Sequence, residues 1–398
     1  MSREVTVFWF IDALGWEVVQ QTDFLKDLLP FRQRVGMQFG YSSSAIPTIL
    51  SGQVPAVHGH LGLFRYAPED SPFRMFRALG PFLRPSCLWN RGRARNLLSR
   101  LLGRLYGFTG YFQLYQVPFT KLAYMDYCEK RNLFVPGGMG TVENLADLLV
   151  RSGIRYHISD WRLGDHRNLA AARAAVAKGA DFLFIYTAEL DAILHNTPSP
   201  QDPAVQEKLE WYRAEAVELL NTCRAQGLEM RLTVFSDHGM SPLASTVDLK
   251  AAVESTGLVF GEDYGACYDS TMLRVNFLKS GSEAAIKAAL KPFEENGRWL
   301  SEAEERAYGI YRADRYFGDA IFLLNPGVQI IPSDMGLKPL RGMHGYAPED
   351  KDSYAAILSD GEVPPEVKHV SDYFTLMKRR VETMDCPKND DEGGWTAP

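Results

Sequence analysis

The sequence has no C-x-x-C pair, and its five cysteines (Cys87, Cys128, Cys223, Cys267 and Cys386) are scattered and odd in number. That excludes a zinc knuckle and a disulfide framework, and it suits a reducing compartment. No stretch reaches the ~18 consecutive apolar residues that a membrane-spanning helix needs. The N-terminal run Val5–Leu14 is interrupted by Asp12 and lacks the small-residue cleavage site of a signal peptide. A soluble, cytoplasmic protein is expected. No G-x-G-x-x-G follows that run, which removes an ordinary dinucleotide-binding enzyme. Basic charge is not in excess: 43 Lys+Arg against 49 Asp+Glu leaves a net charge of -6. The chain as a whole is therefore not built to hold nucleic acid.

What is present is ordinary globular composition over 398 residues, with 46% hydrophobic and 23% charged. The length allows two or three domains, or one large α/β domain with an insertion. Val5–Ile11, Phe182–Tyr186 and Leu232–Phe235 are short continuous apolar runs. Strands apolar on both faces belong to a parallel sheet covered by helices. Helical patterns lie between them at Val142–Arg151, His166–Lys178 and Pro203–Gln226. The alternation predicts an α/β fold, a doubly wound, mostly parallel sheet sandwiched by helices. Ser270–Leu278, Ala320–Leu324 and Val328–Ile331 read as later strands and Ser282–Glu294 as a helix. They extend the sheet or form a small subdomain.

Residues 71–133 differ in composition. They hold nine Arg and two Lys against only Asp126 and Glu129, and they are rich in aromatics from Trp89 to Tyr127. We read 65–133 as a basic, aromatic insertion forming a cap, with 1–64 and 134–385 as the core and 386–398 as a loose polar tail. Within the cap, at helical spacing, Leu97, Leu98, Leu101, Leu102 and Leu105 share one face and Arg93, Arg100 and Arg104 lie towards another. A basic amphipathic helix over 91–106 can lie on an anionic membrane or grip a polyanionic ligand, against the plainer reading of a packed helix with a solvated face.

The chemistry-bearing residues sit where a doubly wound sheet gathers its ligands, at the carboxyl ends of strands. Asp12 follows VTVFWFI. Asp191 and His195 follow FLFIYTAEL. Asp237 and His238 follow LTVFS, and His344 occupies the turn RGMHGY. Each alone has a plain explanation. A lone Asp caps a helix, an i, i+4 Asp/His pair is a surface contact, and Asp-His-Gly is a turn. Together, three strand ends each carry a carboxylate and the two later ones add a histidine. Divalent metals take such carboxylate and imidazole sets from converging elements. The loop GYSSSAIPTILSGQVPAVHG places Ser42, Ser43 and Ser44 before a helix-like run ending near Gly52. A hydroxyl there faces free backbone N–H groups and the positive helix end.

These motifs resemble the alkaline phosphatase superfamily, specifically its type I phosphodiesterase/nucleotide pyrophosphatase branch. They are Asp12, the loop ending SGQVPAVHGH (similar to the family's TG-x-x-P-x-x-HGI), D-x-x-x-H at Asp191 and His195, SDHGM at Asp237 and His238, and HGY at His344. The resemblance implies an alkaline-phosphatase-like fold and two divalent metals, Zn2+ first and Mn2+ second. One would be held by Asp191, His195 and His344, the other by Asp12, Asp237, His238 and the nucleophile oxygen. The nucleophile falls on Ser42, with Ser43 and Ser44 as alternatives. The branch usually has Pro two residues after the nucleophile and Asn three after it; here these are Ser44 and Ala45. A sulfatase C/S-x-P-x-R motif is missing.

The expected activity is hydrolysis of a phosphodiester through a phosphoserine on Ser42. The alternatives are a phosphomonoesterase of the same superfamily and a non-catalytic metal-dependent phospho-ligand binder. Substrates would be phosphate esters, small-molecule or lipid/glycan-linked, with no nucleic-acid partner. His58 and His60 read as structural loop residues. His157, His166, Asp269, Ser270 and Thr271 are candidates for lining the pocket.

Overall fold

The computed structural model describes residues 3–79, 82 and 92–384. Cys87, Trp89, Arg91, Cys386 and the expected tail lie outside the described residues. A six-stranded sheet forms the centre, in the order Phe31–Val35, Ala355–Ser359, Leu228–Phe235, Arg3–Ile11, Phe182–Thr187, Tyr156–Ile158. The last four run parallel, while Ala355–Ser359 runs antiparallel to both of its neighbours.

The first strand is central, which explains its unbroken apolar run. Val5, Val7, Trp9 and Ile11 face a core packed by the helices Asp165–Ala177 and Pro203–Ala225. Phe8 and Phe10 face the opposite core with Phe184 and Phe235. Alternate side chains of a strand point to opposite faces, so both faces must be apolar when helices cover both. Phe10 and Phe235 stack with centroids 5.6 Å apart. Truncating such a ring costs about 3–5 kcal/mol. Trp9 keeps its indole N–H satisfied through Thr187 Oγ1 at 3.0 Å.

The later strands do not extend this sheet. Tyr264–Tyr268, Met272–Phe277, Ala320–Leu324 and Gly297–Trp299 make a separate antiparallel sheet, backed by the helix Ser282–Leu290. Val328–Ile330 pairs instead with Ser245–Val247.

The basic, aromatic segment packs its own core of Phe73, Phe76, Leu102, Leu114, Phe119, Leu122, Met125 and Tyr127, against Leu63 and Cys267 from outside it. The strands Phe64–Tyr66 and Met125–Tyr127 pair at its base. Its helix Gly92–Leu105 departs from the expected division of faces. Leu102 is buried and Leu98 half-buried, but Leu97, Leu101 and Leu105 are exposed together with Arg93, Arg100 and Arg104. The inward face carries Arg95 and Ser99 instead. Arg95 donates to the carbonyls of Leu114 and Val117 and lies over the Phe119 ring. Ser99 Oγ accepts from the Leu114 N–H at 3.0 Å. Loop carbonyls under the helix need donors, so a polar pair replaces leucine there. Among the described residues, no helix is long and apolar enough to cross a membrane.

Candidate active site

The sheet register places the site. Ile11 pairs with Thr187 and Phe10 with Phe235, so three parallel strands end at one level. Asp12, Asp191 and Asp237 follow those ends. Two overlapping ligand sets result, Asp12 with Asp237 and His238, and Asp191 with His238 and His344; within each, the donor atoms all lie within 4.8 Å of one another. His195 joins the edge of the second: its Nε2 is 3.4 Å from Asp191 Oδ2 and its ring centroid 5.3 Å from that of His344. His238 and His344 stack at 3.7 Å.

Backbone carbonyls set the tautomers. His238 Nδ1 lies 2.8 Å from the Gly239 carbonyl and His195 Nδ1 lies 2.9 Å from that of Gly342. A carbonyl can only accept, so each Nδ1 carries a hydrogen and each Nε2 faces the carboxylates, where it takes a proton or, in its place, a metal ion. This is how metal-ligating imidazoles are oriented. Tyr186, from the strand Phe182–Thr187, donates to Asp12 Oδ2 at 2.9 Å and fixes that carboxylate.

The electrostatics are those of a site short of positive charge. Burial, then the charges of Asp237 and Asp191, hold Asp12 well above the ordinary carboxylate range. Burial would lower His238, but Asp237, Asp12 and Asp191 outweigh it and push the imidazole up to about 10. Burial and the neighbouring His238 hold His344 well below its usual value. Asp12 Oδ1, Asp191 Oδ1 and His344 Nδ1 are buried without a hydrogen-bond partner. Buried polar atoms are rarely left so. Three carboxylates, three imidazoles and these orphaned atoms fit divalent metal ions.

The helix Ser42–Ser51 brings the hydroxyl. It begins after Tyr41 in extended backbone and ends at Gly52, whose φ of 71° suits glycine. The three serines separate by direction. Ser42 Oγ lies 3.1 Å from His238 Nε2. Ser43 lines the cavity and its buried Oγ has no partner. Ser44 Oγ is spent on the Phe39 carbonyl at 2.9 Å. Tyr41 ties this helix start to the second sheet: its hydroxyl accepts from the Thr271 N–H, and Thr271 Oγ1 donates to the Gly345 carbonyl beside His344.

Beside the site opens a cavity of about 620 Å³, walled by Tyr111, Tyr115, Leu133, Phe134 and Trp161, with Glu129, Asp269 and Ser270 among its polar lining. Glu129 is 9% exposed, and burial pushes its carboxyl up to about 8.

Several sequence candidates fall elsewhere. His58 bonds Thr48 of the helix Ser42–Ser51 and accepts from the His60 N–H; neither lines the cavity. His157 lies buried in its own strand, and His166 packs on Trp211. Sequence reading missed Tyr41, Tyr186 and the cavity role of Glu129. A hydroxyl within an otherwise apolar strand, and one of two acids in a strongly basic stretch, were the signals available.

Residues 40–347 match the type I phosphodiesterase / nucleotide pyrophosphatase family. The chain belongs to that family, whose members are hydrolases of phosphate esters; Asp12 lies before the matched stretch. Among solved structures, human ectonucleotide pyrophosphatase / phosphodiesterase 5 superposes with a TM-score of 0.66 at 13% identity, over 98% of this chain and 97% of that one. The murine protein of the same name, in an inactive form in complex with AMP, gives 0.63 at 15% identity over 97% of both chains. At these identities the likeness is one of fold, and it is the alkaline-phosphatase-like fold. No curated protein matches the sequence.

Proposed function

We propose that the chain is a metal-dependent phosphodiesterase in which Ser42 is the nucleophile. The observation that carries this is the position of Ser42 Oγ, at the start of a ten-residue helix and 3.1 Å from His238 Nε2. Asp191, His195 and His344 would hold one divalent ion, and Asp12, Asp237 and His238 the other, with Ser42 Oγ; zinc suits this donor set best. Bound there, the ions would supply Lewis acidity that favours the serine alkoxide and neutralises charge on the phosphoryl group.

The chain's own residues do the rest. The helix start aims backbone N–H groups at a phosphoryl oxygen. Ser43 Oγ, unpartnered at the cavity wall, can donate a further hydrogen bond where Ala45 offers none. Ser42 gives its hydroxyl proton to solvent, and its Oγ attacks phosphorus as the ester oxygen leaves in line. One P–O bond forms, one breaks, and the departing alcohol takes a proton from solvent. Water then cleaves the phosphoserine, restoring the hydroxyl and releasing a monoester. Tyr186 holds Asp12, and the carbonyls of Gly239 and Gly342 hold the imidazoles.

The aromatic cavity suits one substituent of a small phosphodiester, stacked or apolar. AMP in the murine neighbour makes nucleotides the first class to test, ahead of lipid- or glycan-linked esters.

The decisive experiment is turnover of bis-p-nitrophenyl phosphate with zinc or manganese, with rapid-quench trapping of phosphoserine. Label on Ser42 is expected. Full metal occupancy without turnover of any ester in a panel of nucleotides, glycerophosphodiesters and monoesters would sink the catalytic reading in favour of binding. Preference for monoesters would replace diesterase by monoesterase.

A further inference from the structure

The helix Gly92–Leu105 shows solvent a face whose leucines stay about half exposed or more. Leu97, Leu101 and Leu105 are 51%, 49% and 68% exposed. Their spacing of four residues stacks them in one row along the helix. Arg93, Arg100 and Arg104 are exposed on the same side, and among the described residues no ion pair holds them. The helix contains no acidic residue. Met75, also exposed, continues the apolar strip past the helix end, where Tyr106 Oη meets Met75 Sδ at 3.1 Å. The opposite face is fixed by Arg95, Ser99 and Leu102, so the helix cannot roll to hide its leucines without breaking those bonds.

We propose that this face docks the protein on an anionic lipid surface. The charge pattern selects that occupant. A second copy of the face would set unpaired arginines against arginines, which repel. A nucleic acid would answer the arginines but leave the leucines in water. A lipid surface answers both, because leucines enter the acyl boundary while arginines meet anionic headgroups. The position also serves the site. From the end of the helix the chain turns at Gly107, with φ 67°, and within a few residues reaches Gly110, Tyr111 and Tyr115 on the cavity wall. Docking would bring the cavity close to the surface. In that respect the inference extends the proposed diesterase towards membrane-borne phosphodiesters, but docking is measured without catalysis.

The test is sedimentation of the full chain with vesicles of equimolar phosphatidylcholine and phosphatidylserine, against phosphatidylcholine alone. Binding to the anionic vesicles is expected, weakening as salt rises. Changing Arg93, Arg100 and Arg104 together to Ser should lower partitioning on the order of 100-fold, from about fivefold per basic residue at such a surface. Changing Leu97, Leu101 and Leu105 together to Ser should lower it at least about tenfold. Both variants should keep the wild-type melting temperature, which confirms folding without turnover and keeps the diesterase reading separate. Failure of the wild type to sediment, undiminished binding by both variants, or self-association abolished by the leucine changes would each overturn the proposal.

Discussion

Ser42 Oγ and His238 Nε2 are 3.1 Å apart although 196 residues separate them in sequence. His238 is itself 3.1 Å from Asp237 Oδ2 and 3.5 Å from Asp12 Oδ1. One imidazole thus joins the serine helix to two strand ends.

Ser42→Ala is expected to lower turnover at least ~100-fold while leaving metal content and folding intact, as loss of a nucleophile does. Ser43→Ala should cost less, through one hydrogen bond. Ser44→Ala should act on stability, by about 1 kcal/mol, because its hydroxyl serves the Phe39 carbonyl. Steady-state kinetics beside thermal melts separate the three. Near-normal turnover in Ser42→Ala with loss in Ser44→Ala would displace the nucleophile.

Metal removal should abolish turnover and lower the melting temperature. Asp12, Asp191 and Asp237 would then face one another with only imidazolium to offset them. Because those carboxylates raise His238 to about 10, its stabilisation in the metal-free chain is fully present below the unfolded value near 6.5 and is lost as pH rises through about 10. Melts of the EDTA-dialysed protein should therefore fall most steeply above neutral pH. Unchanged activity with metal confirmed absent would remove the ions from the mechanism.

Glu129 gives a second pH dependence with another origin. Burial raises its carboxyl from 4.5 to about 8. The folded state then binds more protons than the unfolded one between those values. Stability should fall as pH rises from about 4.5 to 8, by up to roughly 4 kcal/mol. Glu129→Gln should flatten that slope and melt higher than wild type at pH 8. A parallel pH profile in the variant would show that the carboxyl is not held neutral.

Arg274 is buried and donates to Asp269 Oδ2 at 2.8 Å and to the Phe64 carbonyl at 2.6 Å. It joins the second sheet to the start of the basic segment. Arg274→Ala should destabilise by about 3–5 kcal/mol, the usual result of leaving a buried charge unpaired. Denaturant titration measures it. Gly62→Ala should act in the same place, since an added Cβ would lie 2.8 Å from Arg274 Nη2. A loss below about 1 kcal/mol for Arg274→Ala would mean that water reaches Asp269.

By itself the sequence determined the central sheet and the shortlist of ligands. A strand covered on both faces must be apolar throughout, so Val5–Ile11, Phe182–Tyr186 and Leu232–Phe235 declared themselves. Acidic residues within a few positions of such runs had to lie near the sheet edge, although after Phe182–Tyr186 the first of them, Glu189, pairs with Lys208 and only the next, Asp191, joins the site. Tertiary structure decided what depends on direction and distance. Three adjacent serines look alike in sequence, and only the helix start turns one to His238 and another to a carbonyl. Five leucines and three arginines define an amphipathic helix, but the loop carbonyls of Leu114 and Val117 drew Arg95 inward and left three leucines outside. Glu129 reads as an isolated acid until the cavity closes around it. Local pattern fixes which elements form, because it sets what each must bury. Which groups meet across 196 residues is fixed only when those elements pack.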